Sequence, residues 1–302
     1  RDEVIGHMTR QRDLYRWIHD QTMRLANLGH TPDEIAEQVD LPPGLWADWS
    51  CHGYYGTVSH NVRAVYQRYL GWYDGHPSSL EPYPPTASAE RYVEFMGGME
   101  NLLANARRSY DEGDYRWVAQ VLRHAVFAEP DNQDARHLQA DAFEQLGYQA
   151  EAGPWRDVYL MGAMELRQGT LEVDFAVRPI LEAAQGMTLE QVFDYLAVRL
   201  DGPAAAEMGD LQLTWTVADP ADVVRVTLSN GTLHAVVGPE AAAPDARLAC
   251  PRRVLDDLVA TGDTLRDRVD AGEVEGSGDI EAALMLWDLF ADFPMFFPIV
   301  EP

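Results

Sequence analysis

The sequence predicts a helical first half followed by an α+β second half. Three observations carry this. Through most of the first 170 residues apolar side chains recur at spacings of three and four, as one face of a helix requires. Between 211 and 237 the spacing drops to two: Leu211, Leu213, Trp215 and Val217, then Val224, Val226 and Leu228, alternate with other residues. Helical spacing and capping residues return from Pro251 onward. The 302 residues suit two or three domains of about 100–200 residues each.

Leu14, Trp17, Ile18, Met23 and Leu25 mark a first helix within Arg1–Leu28, stopped by Gly29. No start signal precedes it, so the chain is expected to be cut from something longer. Thr31-Pro32-Asp33-Glu34 has capping-box spacing with Pro at the first helical position, and Leu41-Pro42-Pro43-Gly44 ends that helix. A compact ring-rich loop runs from Trp46 to Gly56. Ser59 is expected to cap the next helix, with Val62, Val65, Tyr66 and Tyr69 on its apolar side. Pro77, Pro82, Pro84 and Pro85 make the next stretch an extended connector. Ala87 to Arg167 reads as helical throughout. Within it Gly113-Asp114-Tyr115 opens a helix, Glu129-Pro130-Asp131-Asn132 turns the chain, and Ala135, Leu138, Ala142 and Leu146 line the return, which Gly147 is expected to end. This is a tetratricopeptide-like hairpin. One or two such units cannot bury their own face, which predicts packing on a neighbour or a second copy.

In the second half Thr188 caps a helix carrying Val192, Phe193, Leu196 and Val198. Ser229-Asn230-Gly231-Thr232 is a tight hairpin turn between the second and third strands. Arg247–Cys250 is a short further strand, Pro251 begins a helix, Glu273–Gly276 is a last strand, and Asp279 caps the final helix. The expected sheet is antiparallel with helices on one face.

Charge excludes some functions. Asp and Glu number 49; all 23 basic residues are Arg, for a net charge of −26. The acidity is spread, with 25 acids against 15 Arg before residue 171 and 24 against 8 after it. Such a chain lacks the basic footprint of a nucleic-acid binder or of an anionic-membrane anchor. Cys51 and Cys250 make neither a disulfide framework nor a CxxC motif. The densest apolar stretch, Leu284–Val300, is broken by Asp288, Asp292, Pro294 and Pro298. It is short of a span of about 20 residues, and reads as a core helix plus a packing tail. The expectation is a soluble protein without a transmembrane segment, either cytoplasmic or exported.

No self-contained active site is visible. The nine His form no HxH, HxxxH or HExxH pair, and there is no GxSxG, P-loop or GxGxxG. His60 stands at a loop-to-helix junction beside Asn61, where it either reaches a neighbouring site or satisfies a backbone carbonyl. His19 is interior to a helix, with a packing role or a general-acid role open to it.

Several strings, in this order, resemble the C-terminal part of the bacterial zinc-dependent alkyl sulfatases, members of the metallo-β-lactamase superfamily. They are Gln11-Arg12-Asp13-Leu14-Tyr15-Arg16-Trp17-Ile18-His19-Asp20-Gln21-Thr22, Gly53-Tyr54-Tyr55-Gly56-Thr57-Val58-Ser59-His60-Asn61, Val65-Tyr66-Gln67-Arg68-Tyr69-Leu70-Gly71-Trp72-Tyr73-Asp74-Gly75, Tyr92-Val93-Glu94-Phe95-Met96-Gly97-Gly98, and Glu144-Gln145-Leu146-Gly147-Tyr148-Gln149-Ala150-Glu151. Phe193-Asp194-Tyr195-Leu196-Ala197-Val198-Arg199-Leu200-Asp201-Gly202 continues the series.

The resemblance implies three parts. Residues 1–75 would be the helical tail of a metallo-β-lactamase-type catalytic domain, 76–170 an all-α dimerisation domain, and 171–302 an α+β sterol-carrier-like domain. It implies hydrolysis of alkyl sulfate esters to alcohol and sulfate at a two-zinc site. The HxHxDH part of that site is not among these residues, so the chain alone is expected to be inactive and to supply at most one zinc ligand. Carried over by position, His60 resembles a late zinc-ligand His and His19 the His that protonates the leaving oxygen. Arg12, Tyr55 and Asn61 fall where sulfate contacts are expected. Leu213, Trp215, Val226, Leu284, Trp287 and Phe290 are candidates to line an apolar-chain tunnel, or else an ordinary core. A homodimer through the helical domain is expected, with an alkyl sulfate or other apolar-chain ligand. The alternatives are a non-catalytic dimerising lipid-binding module and one subunit of a split enzyme.

Overall fold

A computed structural model describes residues 1–171, 178–218, 222–239, 243–261 and 263–302, with the backbone alone for 178–180. The chain forms two compact units, Arg1–Leu171 together with Phe296–Pro302, and Glu172–Met295.

The first unit is all helix. It holds α1 (Asp2–Ala26), α2 (Pro32–Gln38), α3 (Pro43–Trp46), α4 (Val58–Leu70), α5 (Pro85–Phe95), α6 (Met99–Asp111), α7 (Tyr115–Ala128), α8 (Gln133–Gln149) and α9 (Gly153–Gln168). The Thr31 capping box is present, with the Thr31 side chain and Glu34 satisfying each other's backbone N–H groups. The cap of α4 is Thr57 rather than Ser59. The helix begins one residue after Thr57, whose Oγ1 accepts the His60 N–H at 2.9 Å. Ser59 instead accepts from the Arg63 guanidinium through its hydroxyl at 2.5 Å. Gly147 lies inside α8, not at its end. A Cβ there would stand 3.0 Å from Leu160 Cδ2, so the glycine lets α8 and α9 approach closely.

Two apolar clusters hold this unit. Ile18, Leu25, Ile35, Val39, Val62 and Tyr66 join α1, α2 and α4. A larger cluster, with Leu102, Val118, Leu122, Val126, Leu138 and Leu166, fills the α5–α9 region and takes in Val300 from the far end of the chain. That end is fastened by charge. The buried Arg136 guanidinium donates to Leu166 O at 2.8 Å and Pro130 O at 3.0 Å, and pairs closely with Glu301. The Glu165 carboxylate accepts the N–H groups of Ile299 at 2.7 Å and Val300 at 3.0 Å.

The second unit contains α10 (Arg178–Gly186), α11 (Leu189–Arg199), α12 (Gly202–Met208), β1 (Leu211–Ala218), β2 (Asp222–Ser229), β3 (Thr232–Val237), β4 (Ala246–Pro251), α13 (Arg252–Ala260), α14 (Leu265–Asp270), β5 (Glu275–Gly278) and α15 (Ile280–Trp287). The strand order is β3-β2-β1-β4-β5. The sheet is mixed, not antiparallel throughout: β1 and β4 run parallel, with Trp215 opposite Leu248. Period-two alternation encodes which face a side chain takes, not the strand's direction. The direction is set at the strand entry, where Asp245 N–H donates to Gln212 O and the Asp245 carboxylate accepts Gln212 N–H, each at 2.7 Å.

The last strand begins two residues later than expected. The N–H groups of Glu273 and Val274 go to Arg268 O in the turn that closes α14, so neither is free for the ladder. At the hairpin, Asn230 (φ 52°) and Gly231 (φ 70°) are both left-handed, the geometry of a type I′ turn. Val198 is 70% exposed, not in the core. The core gathers Phe193, Leu196, Trp215, Leu228, Leu248, Leu255 and Leu258.

Two substitutions test this architecture. Arg136→Lys leaves carbonyl acceptors without donors, because an ammonium has three protons and no fork. It is expected to lower the unfolding free energy by about 2 kcal/mol or more in urea titrations. Gly278→Ala puts a Cβ 2.3 Å from Asp245 O at a φ of +84°. A loss of about 2–3 kcal/mol is expected, read as an earlier transition in the same titration.

Candidate functional site

One cleft of about 740 Å³ in the helical unit draws together much of what the sequence singled out. One wall is a single face of α1: Gln11, Leu14, Tyr15, Ile18 and His19. The opposite wall is a single face of α4: Asn61, Ala64, Val65, Arg68 and Tyr69. Both sets follow the i, i+3, i+4, i+7, i+8 pattern. The loop Ser50–Gly56 closes the floor and brings Tyr55, which is 83% exposed. At Gly56 a Cβ would lie 3.1 Å from Asn61 Oδ1, so the bare backbone lets the amide come close to the loop.

The composition of this lining differs from that of the chain. None of its lining residues is Asp or Glu, although the chain has 49 of them. Arg68 lines it with no ion-pair partner among the described residues. The surroundings of His52 favour its charged form. Its Nδ1 is 3.1 Å from Glu151 and its Nε2 is 2.9 Å from Trp46 O, so both ring nitrogens face acceptors. The Trp46 carbonyl first, and then the Glu151 carboxylate, push its pKa up. Its ring is stacked between Trp46 and Tyr54.

His19 is built into a relay. Its Nδ1 is 2.7 Å from Asp20 Oδ1 and its Nε2 is 3.1 Å from the Tyr69 hydroxyl. Asp20 also accepts from Arg16 at 2.7 Å. The hydrogen bond to His19 and the Arg16 guanidinium hold the Asp20 carboxyl below its usual range. An ionised Asp20 orients the imidazole with Nδ1–H toward it, leaving Nε2 to exchange a proton with Tyr69 or with a molecule in the cleft.

Two of the sequence candidates lie elsewhere. Arg12 is one residue off the α1 face that lines the cleft, and its guanidinium is taken up by Asp13 at 2.7 and 2.9 Å. His60 is one residue off the α4 face and does not line the cleft; it meets Trp155 of α9, whose Nε1–H donates to His60 Nδ1 at 3.3 Å. A ring nitrogen that accepts this bond carries no proton, so the neutral ring carries it on Nε2. Among the described residues no group of three or more His, Cys, Asp or Glu can hold a metal ion.

Arg68, Tyr69, His52 and Trp155 were not singled out from sequence. Arg68 and Tyr69 were within reach, since they stand seven and eight residues after Asn61 on one helical face. His52–Glu151 and His60–Trp155 join residues 99 and 95 apart, which no local pattern signals.

Of the apolar-chain candidates in the second unit, Leu213, Trp215, Val226, Trp287 and Phe290 converge on one slot, and Leu284 is buried beside it in the same core. The slot retains only about 10 Å³. That is room for about one water, so these side chains pack as a core here. No helix of the described residues is long and apolar enough to cross a membrane.

Comparison with known proteins places these features. Residues 31–169 match the family model described as alkyl sulfatase dimerisation, and residues 181–302 match that described as alkyl sulfatase C-terminal. A linear primary-alkylsulfatase of a Pseudomonas species is 43% identical over 300 residues, covering 99% of this chain and 44% of the relative. An alkyl/aryl-sulfatase of Saccharomyces cerevisiae is 45% identical over 295 residues, covering 98% of this chain and 45% of the relative. The solved structure of a stereoselective inverting sec-alkylsulfatase from Pseudomonas superposes with a TM-score of 0.91 at 41% identity, covering 100% of this chain and 47% of that one. The chain spans less than half the length of each.

The raised pKa of His52 predicts a pH dependence. Its raised pKa means its contribution to stability is complete below the ordinary imidazole value of about 6.5, and is lost as pH rises through the folded-state value. The stability difference between the parent and His52→Gln is expected to shrink steadily from pH 6 to pH 9. A difference that grows over this range would contradict the assignment.

Proposed function

We propose that this chain, which carries the dimerisation and C-terminal domains of the alkyl sulfatases, forms one wall of a site in which an alkyl sulfate ester is hydrolysed to alcohol and sulfate. The observation that carries this reading is the carboxylate-free cleft holding His19, Arg68, Tyr55 and Asn61 in a strongly acidic chain. Such a lining favours an anion. Arg68 supplies a planar pair of donors suited to sulfate oxygens, and the Asn61 amide and Tyr55 hydroxyl supply neutral ones. His19, oriented by Asp20 through Nδ1, can in its imidazolium form deliver the Nε2 proton, directly or through Tyr69, to the leaving alcohol or sulfate oxygen.

Two zinc ions are part of the reading through the family resemblance. The described residues hold no cluster of three or more candidate ligands, so they do not form a zinc site on their own and His60 would supply one ligand at most. The remaining ligands are assigned to a metallo-β-lactamase-type part outside these 302 residues, of which residues 1–75 would be the helical tail. The helical domain is assigned the homodimer contact. The second unit is assigned a sterol-carrier-like role in holding the apolar chain, which requires Trp287 and Phe290 to move apart, since ligand pockets run to about 300–1,000 Å³.

Zinc analysis and dodecyl sulfate turnover of the chain by itself test the division of labour. Neither tight zinc nor turnover is expected; two tightly held zinc ions with turnover would overturn it. In a protein that joins these residues to the zinc-bearing part, His19→Ala is expected to lower kcat by about 10²–10⁴-fold. Arg68→Ala is expected to raise KM for alkyl sulfates, and full activity in both variants would reject this cleft as the site. Sedimentation at micromolar concentration is expected to give about twice the 33.8 kDa chain mass.

A further inference from the structure

The five-stranded sheet of the second unit gives one face to the core through Leu213, Trp215, Val224, Val226 and Leu248. Side chains alternate along a strand, so the residues between these share the other face. There Thr214 of β1 stands directly between Arg225 of β2 and Arg247 of β4. This second face is turned outward: Thr216, His234, Arg247 and Ser277 are exposed, and Arg225 is half-buried. From residue 171 on, the chain holds 24 acids against 8 Arg. Among the paired residues of this face only Glu275, opposite Ala249, carries a carboxylate.

Thr214 is out of keeping with such a face. It is 2% exposed, and its Oγ1 makes no hydrogen bond. A buried hydroxyl without a partner is costly. The side chains that flank it are guanidiniums, which donate and cannot accept, so the Thr214 proton has no acceptor on either side. Arg225 makes no ion pair among the described residues. Neighbouring strands lie about 4.8 Å apart, which sets the two Arg Cα atoms about 10 Å apart across Thr214. Two guanidiniums at that spacing can converge on one small ion above the hydroxyl. What the place lacks is an acceptor with several oxygens. A tetrahedral oxyanion has enough for both forks and the hydroxyl.

We propose that the outward face of the sheet carries an oxyanion site in which Arg225, Arg247 and the Thr214 hydroxyl hold a sulfate group, free or as the head of a sulfate ester. All three residues belong to the second unit, so the site is independent of the cleft between α1 and α4. It gives the sheet unit its own affinity for the group that the proposed reaction would release.

The test is a chemical-shift titration of the whole chain with sodium sulfate at low ionic strength, made in the Arg68→Ala variant so that the cleft does not contribute. The Arg225 Nε–H signal and the amide signals of β1, β2 and β4 are expected to move together and to saturate. Arg225→Gln is expected to weaken binding at least about ten-fold, as loss of a charged donor does. Thr214→Val keeps the side chain's shape and deletes the hydroxyl. It is expected to weaken binding several-fold, while without sulfate it unfolds at the same or a higher temperature, because an unpartnered polar atom has been removed. Absence of these shifts, equal shifts with sodium chloride at the same ionic strength, or an affinity unchanged in both variants would overturn the proposal. Hexyl sulfate separates the two sources. An affinity like that of the bare ion makes free sulfate a sufficient occupant, and binding several-fold tighter makes it the ester head. Hexyl sulfate bound equally by the parent and both variants would again overturn the site. If the sheet binds sulfate in this way and Arg68→Ala leaves turnover intact in the zinc-bearing protein, the cleft reading fails while this proposal stands.

Discussion

The helical unit depends on one buried guanidinium. Arg136 reaches out of α8 to a carbonyl at the C-terminal end of α9, to the turn before its own helix, and to Glu301. Helix C-termini leave carbonyls unsatisfied, and a buried one is costly without a donor. Arg136 supplies several donors at once in a fixed plane, which lets α7, α8 and α9 close around a dry core. The second unit repeats the device. Arg199 is 7% exposed and donates to Ala291 O and Val259 O while pairing with Asp292. Arg252 donates to Ala184 O and Met187 O while pairing with the buried Asp256. A chain whose basic residues are all Arg has these forks available, and an ammonium could not take over such posts.

Acids outnumber bases about two to one, and many Arg side chains, Arg10, Arg16, Arg116 and Arg167 among them, pair with carboxylates. That is why the composition of the cleft matters. Its lining leaves out every carboxylate and keeps Arg68 without an ion pair among the described residues, and it includes His52, whose charged form its neighbours favour. The carboxylates nearest to it, Asp20 and Glu151, stand behind His19 and His52 and not on the cleft surface. An incoming anion meets the lining at short range, because salt screens the rest of the molecule beyond about 8–10 Å.

Much of this was legible in the sequence, and the parts that were not share a cause. Caps, turns and faces are local. Thr31 and Thr188 with their partners three residues on, Asn230-Gly231, and Asp279 each determine a boundary through groups within four residues, and each appears where expected. Within the candidate site, His19, Tyr55 and Asn61 share one cleft because each lies on a cleft-facing helical face or on the loop. Arg12 and His60 stand one residue off those faces, a rotation of about 100°. Motif strings do not distinguish adjacent residues; helical geometry does. The direction of β4, the packing duty of Gly147 and the contacts of His52 and His60 depend on partners far away in sequence, to which local spacing is blind.

The return of the chain's last residues to the first unit has a consequence for the order of synthesis. Val300 and Glu301 complete the core and the charge network around α8 and α9, yet they are made after the whole sheet unit. While the ribosome is still at work the helical unit carries Arg136 without its carboxylate and an uncovered apolar patch near Phe143 and Gly162. The core of the helical unit is thus completed only after the sheet unit has been made, and the two units do not mature in the order in which they are encoded. A cut just before Phe296 would injure the unit encoded earlier and spare the one encoded later.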